Sequence, residues 1–343
     1  MNAIVPVSPV GRIGANGVYD EKRNRMVLFG GKTKHTGKPA TLCDTWELSF
    51  STYKSSWRLI DTGASEGTPL SRCHFSAIYY PDRHVMLIWG GYHIGAKHDR
   101  VLDDLWCFDL NSDKWYEIDQ SVSMPRKRTL HSAVYFAYYN KMILFGGAKS
   151  IARDTSHVFG DTWSLDLNNF SRSKMKAGRL ELVWEQLEFE RQYVPQPRFG
   201  HTAEYSPSHK QMIMFGGSNG TKPFVDLWSF SPLSGWKYIQ QTNAFRLEDY
   251  NTENVAHCIY QNKLYLYSGG VTPLQCIWIL DIDTLRWVQK KLHRNASTPR
   301  WKATFVYNCA DHALVVFSGS PGLKHGDEVL SDSFLLNLSC LEK

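Results

Sequence analysis

Residues 141–148 read KMILFGGA, an apolar run that stops on two glycines ten residues after His131. Two kinds of structure end this way. A phosphate-cradling loop needs G-x-x-x-x-G-K-[ST] leading into a helix, so that several amides point at one anion. A buried strand can instead finish on glycines where neighbouring backbone must come close. The residues after the glycines decide between them. AKSIARDT follows Gly147, SNGTKPFV follows Gly217 and KTKHTGKP follows Gly31, and none has the phosphate spacing or a helical period. The run is a strand end.

It is also a repeat. MVLFGG ends at Gly31, MLIWGG at Gly91, MIMFGG at Gly217, LYLYSGG at Gly270 and LVVFSGS at Ser320. An acidic-x-Trp run follows in four units: CDTWELSF (Trp46), DDLWCFDL (Trp106), GDTWSLDL (Trp163) and VDLWSFSP (Trp228). The fifth, CIWILDI (Trp278), lacks the Asp, and the sixth, SDSFLLNL, carries Phe334. A second Trp (57, 115, 184, 236, 287) opens a further short strand, and an alternating segment such as KRTLHSAVYF or PRFGHTAEYS precedes each apolar run. Each unit therefore reads as four short strands separated by turn residues. One unit cannot bury its own faces, whereas a ring of them can, which is the logic of a β-propeller. The tryptophans read as packing between blades.

The paired glycines after the second strand and the two spaced Trp per unit resemble the kelch repeat, and the resemblance spans essentially the whole chain. It implies an all-β, six-bladed kelch propeller with four-stranded antiparallel blades in a single domain, 1–343. The blades fall at about 12–60, 69–119, 125–189, 197–240, 254–290 and 299–339, with a basic insert at 168–179 in the third. Blade six supplies only three strands, so NAIVPV (2–7) is expected as its fourth, closing the ring and removing exposed sheet edges.

Composition narrows the class. Hydrophobic content is 43%, and 12 Trp, 17 Tyr and 17 Phe suit pleated surfaces. A net charge of +6 falls short of a dedicated nucleic-acid binder. No basic region precedes an apolar stretch at the N-terminus, and no apolar run approaches about 18 residues, so neither a signal peptide nor a transmembrane segment is expected. Seven scattered cysteines without a C-x-x-C pair read as reduced and mostly buried, in a cytoplasmic or nuclear protein. We expect a monomer.

Chemistry is sparse. Histidines 74, 131, 201 and 257 read as one repeat position, with Ala15 and Ala303 there in blades one and six, each His satisfied inside its blade rather than ligating a metal. The resemblance brings two enzyme types to mind as the alternative function, a kelch-type metalloenzyme. Copper oxidases on this fold are secreted and use a Tyr–Cys crosslink. Iron-dependent nitrile-specifier proteins use E-x-x-x-D-x-x-x-H, and the nearest stretch here, Glu66 to His74, has Leu70 in the middle. No catalytic residue, metal or cofactor is assigned.

A binding surface remains. Loops after the glycines and loops carrying the PR pairs share one face of such blades. Around the ring they bring Arg12, Lys32, Lys34 and His35, then Ser71, Arg72, Tyr92 and His93. Arg126, Lys127, Arg128 and Lys149 follow, then Arg198, Asn219 and Lys222, and finally Arg300, Trp301 and Lys302. Blade five, with Glu253, Asn254 and Val271, is the gap. Arginine forks match carboxylates, so the partner expected is a protein or peptide that is acidic or ends in a free carboxylate. Among kelch proteins this face serves substrate receptors of cullin ubiquitin ligases, with Arg at the PR positions. Arg12, Arg128, Arg198 and Arg300 match those positions, while Ser71 and Asn254 depart. The alternative for each Arg is a pair with an Asp of its own blade. The insert, with Arg172, Lys174, Lys176 and Arg179, is expected on the opposite face as a flexible tip or a second contact site.

Overall fold

The computed structural model describes residues 8–34, 38–50, 55–150, 157–241, 252–267, 276–292, 300–321 and 329–338. Within them lie six radial antiparallel sheets forming the blades of a β-propeller. The first joins Asn16–Asp20, Arg25–Phe29, Thr45–Ser49 and Ser56–Asp61. Blades three, four and five repeat this order from Ser132–Phe136, Thr202–Ser206 and Ala256–Tyr260. Blade two begins at Ser76–Tyr80 and carries a fifth strand. Blade six shows Thr304–Asn308, Ala313–Phe317 and Ser333–Asn337. Segment 2–7, the expected closing strand, lies outside the described residues.

Two-residue periodicity orients the innermost strands. In Ser76–Tyr80 and Thr304–Asn308 the first, third and fifth residues are buried, while the second and fourth are half-buried. Before each innermost strand one residue adopts a left-handed φ: Gly14, His74, Leu130, Gly200, Asn254 and Lys302. Their amides form a closed ring of six hydrogen bonds. Gly14 donates to Lys302, Lys302 to Asn254, Asn254 to Gly200, Gly200 to Leu130, Leu130 to His74 and His74 to Gly14, at 2.7–3.3 Å. Side chains at His74, Leu130 and Lys302 are strained by that φ, and a hydrogen bond to each neighbouring blade offsets the strain. The last blade is thereby tied to the first, where Thr304 Oγ1 also donates to the Ala15 carbonyl at 3.0 Å.

The opening stretch now has a place. Lys141–Phe145 is the second strand of blade three, and Phe145 receives Trp236 of the next blade, ring centroids 4.6 Å apart. The same contact recurs round the ring as Trp57 on Phe317, Trp115 on Phe29, Trp184 on Trp89 and Trp287 on Phe215, at 4.8–5.8 Å. Each second Trp thus packs on the aromatic residue that precedes the glycines of the preceding blade. Gly146 and Gly147 take φ of 66° and 100°. A Cβ on Gly146 would stand 2.6 Å from the Arg198 carbonyl oxygen, and one on Gly147 would stand 2.8 Å from Thr129 O. The Gly147 amide donates to Arg198 O at 2.8 Å, so it holds a neighbouring blade and has no anion to bind.

The insert of blade three is not a free tip. A short helix, Arg172–Lys176, turns Met175 inward, and Phe170, Leu180 and Leu182 join it in the core shared by blades two and three. Glu181–Leu182 then pairs in parallel with Lys114–Gln120 as the fifth strand of blade two. Arg172 Nη1 donates to Asp109 Oδ1 at 2.6 Å. The expected flexible tip is corrected: apolar residues between its basic ones bury it in the seam.

Candidate functional site

The blade arginines were candidates for binding a partner. Arg12, Arg72, Arg128, Arg198 and Arg300 are instead 0–1% exposed. Each guanidinium grips the Asp two residues before the first Trp position of its own blade, in bidentate fashion: Asp44, Asp104, Asp161, Asp226 and Asp332, at 2.5–2.9 Å. Nη1 also donates to the first carbonyl of the glycine pair, from Gly30, Gly90, Gly146 or Gly216, or to Ser318 O in blade six, at 2.8–3.1 Å. In four blades the same Asp accepts from Trp Nε1 at 2.6–2.8 Å. The motif is a buried Arg–Asp–Trp clamp on the strand end. Burial alone would raise Asp161 and Asp226, but the Arg bonds outweigh it and hold both carboxyls below the ordinary range. Arg300 does the same for Asp332.

Blade two follows the pattern through Arg72, not Ser71, so the expected departure there is corrected by one residue. Blade five does lack the clamp. Gly217 donates to Thr252 O, where Gly147 donates to Arg198 O, so Thr252 stands at the Arg position and Cys276 at the Asp position. Both halves of the ion pair are missing together, as expected when a lone buried charge would be left behind. The absent Asp was visible in CIWILDI, and its distant Arg partner is what one blade read alone cannot supply.

Other candidates do reach the surface. Arg126, Lys127, Lys149 and Lys222 are exposed, and Lys32, Tyr92, His93, Asn219, Trp301 and Lys302 are half-buried. Tyr92 Oη donates to Asp99 at 2.7 Å, and His93 Nδ1 lies 2.9 Å from Ser71 Oγ. Lys302 Nζ stands 4.4 Å over the Trp301 ring, whose buried Nε1 finds no hydrogen-bond acceptor among the described residues. Asn219 folds its side chain onto the amides of Thr221 and Lys222 at 3.0 Å, shaping the loop that carries Lys222. His35 and Val271 lie outside the described residues. The five clamp carboxylates on this face are already neutralised by buried Arg, which leaves Asp99 and Asp103 beside the exposed lysines and Arg126.

The four histidines do not share one repeat position. His131 and His201 do; His74 sits one residue earlier on the hydrogen-bonded ring, and His257 two residues later within its strand. His131 and His201 place Nε2 on Ser76 and Ser132 of the preceding blade, at 2.9 and 2.8 Å. Burial drives His131 down to about 3 and His201 well below the usual range, so both are neutral. Among the described residues no three His, Cys, Asp or Glu side chains are grouped as metal ligands, and no helix is long and apolar enough to cross a membrane.

Comparison with known proteins gives the same architecture a lineage. A family profile for the KLHDC2/KLHL20/DRC7 Kelch-repeats domain matches residues 4–179 and 178–342. The flagellar outer-arm dynein alpha chain of Chlamydomonas reinhardtii is 22% identical over 311 residues, 86% of this chain and 6% of the dynein. Tip elongation aberrant protein 1 of Schizosaccharomyces pombe is 26% identical over 64% of this chain and 17% of its own length. Human Host cell factor 2 is 24% identical over 70% of this chain and 32% of its own. The chain thus spans no more than about a third of these curated relatives. A solved structure titled "Structure of YjhT" superposes with a TM-score of 0.68 over 97% of both chains at 12% identity, a likeness of fold alone. With six blades, five of them clamped, and the profile covering nearly every residue, the chain belongs to the kelch-repeat family.

Proposed function

We propose that this propeller is a non-catalytic interaction module whose glycine-loop face binds an acidic segment or terminal carboxylate of a protein partner. One observation carries the reading. Five buried arginines neutralise the clamp carboxylates, while Lys32, Arg126, Lys149 and Lys222 above them pair with no carboxylate of the described residues. The rim therefore presents cations that no described carboxylate pairs with, beside the half-buried Trp301, a combination that steers and anchors acidic peptides. Relatives that hold a similar region inside far longer chains favour an adaptor role. Service as a ubiquitin-ligase substrate receptor or as a trafficking scaffold, in the cytoplasm or nucleus and as a monomer, is part of the same proposal. The test is selection from a synthetic peptide library by the purified protein. Enrichment of peptides with acidic residues or free C-termini supports the rim, and enrichment of basic or amidated peptides overturns it.

A further inference from the structure

One feature of the axis has no part in that face. The fourth residue of each innermost strand is Tyr19, Tyr79, Tyr135, Tyr205, Ile259 or Tyr307. All six line an axial cavity of about 590 Å³ at the end opposite the glycine loops. Its rim reaches solvent at the exposed Glu21, Ala137, Pro207 and Cys309. Three of the phenols are fixed by their hydroxyls: Tyr19 donates to Asn24 at 2.7 Å, Tyr135 to Asn140 at 3.1 Å, and Tyr307 lies 3.1 Å from His312 Nδ1. These partners sit on the first hairpin turns, so these three rings of the collar are held in place rather than left to swing.

Inside the collar stands one carboxyl group. The third residue of the innermost strand is Val18, Ile78, Val134, Cys258 or Val306 in five blades and Glu204 in the fourth. No donor among the described residues lies within hydrogen-bond distance of the Glu204 carboxyl; the imidazole of His257, whose pKa burial lowers, has its Nε2 3.7 Å away. His257 places its own nitrogens on Val255 O and Ala203 O, at 2.9 and 3.4 Å. The cavity lining includes Glu204 and Glu21 but no Lys or Arg, in a chain that has 39 of them. A carboxyl without a donor behind a ring of aromatic faces, with no Lys or Arg in the lining, is the arrangement that holds ammonium groups, because an incoming ammonium favours its ionised form.

We propose that the axial channel binds an alkylammonium group that enters through the tyrosine collar, with Glu204 as its counter-charge. The stem lies among Ala77, Ala133 and Ala203, the small residues that leave the lumen open. The ammonium could belong to a free amine or to a lysine side chain of a docked peptide, and separate probes distinguish the two. Saturable binding of 1,4-diaminobutane and of a single-lysine peptide would be measured by calorimetry on wild type and on Glu204→Gln, with 1-butanol as the uncharged control. We expect at least one ammonium probe to bind, 1-butanol not to, and Glu204→Gln to weaken binding about tenfold or more. Tyr79→Leu/Tyr205→Leu, a variant that keeps Glu204, should also weaken it. Binding of the diamine alone assigns a free amine, and of the peptide alone a partner's lysine. Failure of both probes on wild type, or equal affinity for wild type and Glu204→Gln, overturns the site.

Discussion

At the scale of the residue, the same side-chain type performs two jobs that a sequence does not separate. Arg198 is fully buried on Asp226, while Arg126, exposed on the same face, pairs with no described carboxylate. Arg198→Ala should lower stability by about 3–5 kcal/mol in urea unfolding, because it strands a desolvated Asp. Asp226→Cys should do comparable harm, whereas Arg198→Thr/Asp226→Cys, which copies blade five, should cost less than the sum of the singles. Additive losses would remove the clamp as a unit. Glu204 gives a pH test. Thirty-five per cent of its side chain opens to the lumen, yet the lumen is walled by protein, and desolvation pushes the carboxyl up to about 8. An unfolded Glu titrates near 4.3, so between those values the folded state holds the extra proton and stability falls as pH rises. Glu204→Gln should match wild type near pH 4 and melt higher than wild type at pH 8.5. A constant difference across that range would contradict the assignment.

At the scale of the element, periodicity carried most of the information. Strands, glycine ends and interblade tryptophans were legible because each recurs with a physical cause: alternation, close backbone approach, and aromatic packing on the next sheet. The arginines stay open between a partner and a blade Asp in the sequence, because a PR pair states charge and loop but not burial; the structure settles five of them on the Asp before Trp46, Trp106, Trp163, Trp228 or Phe334. The histidines misled because residue type was aligned where backbone register differs, His74 falling on a left-handed φ and His257 inside a strand. The insert misled by composition: four cations conceal Phe170, Met175, Leu180 and Leu182, all buried. Met175→Ala should therefore cost about 2–5 kcal/mol, as for other core truncations. A variant that unfolds at the wild-type urea midpoint would restore the flexible tip.

At the scale of the whole molecule, the propeller divides its charges by depth. Arg–Asp pairs lock the strand ends, a closed ring of backbone hydrogen bonds joins the blades at the axis, and exposed cations lie outside both. The two faces are chemically distinct, with lysines beside the glycine loops and tyrosines with Glu21 at the other end of the axis. Lys149→Glu/Lys222→Glu changes the rim without touching a clamp, so its thermal midpoint should stay within experimental error of wild type. The decisive measurement is the affinity of that folded variant for an acidic peptide selected by wild type, across a salt series. The account predicts binding about tenfold or more weaker than wild type, with a shallower salt dependence. Unchanged affinity and salt dependence in the charge-reversed protein would contradict it.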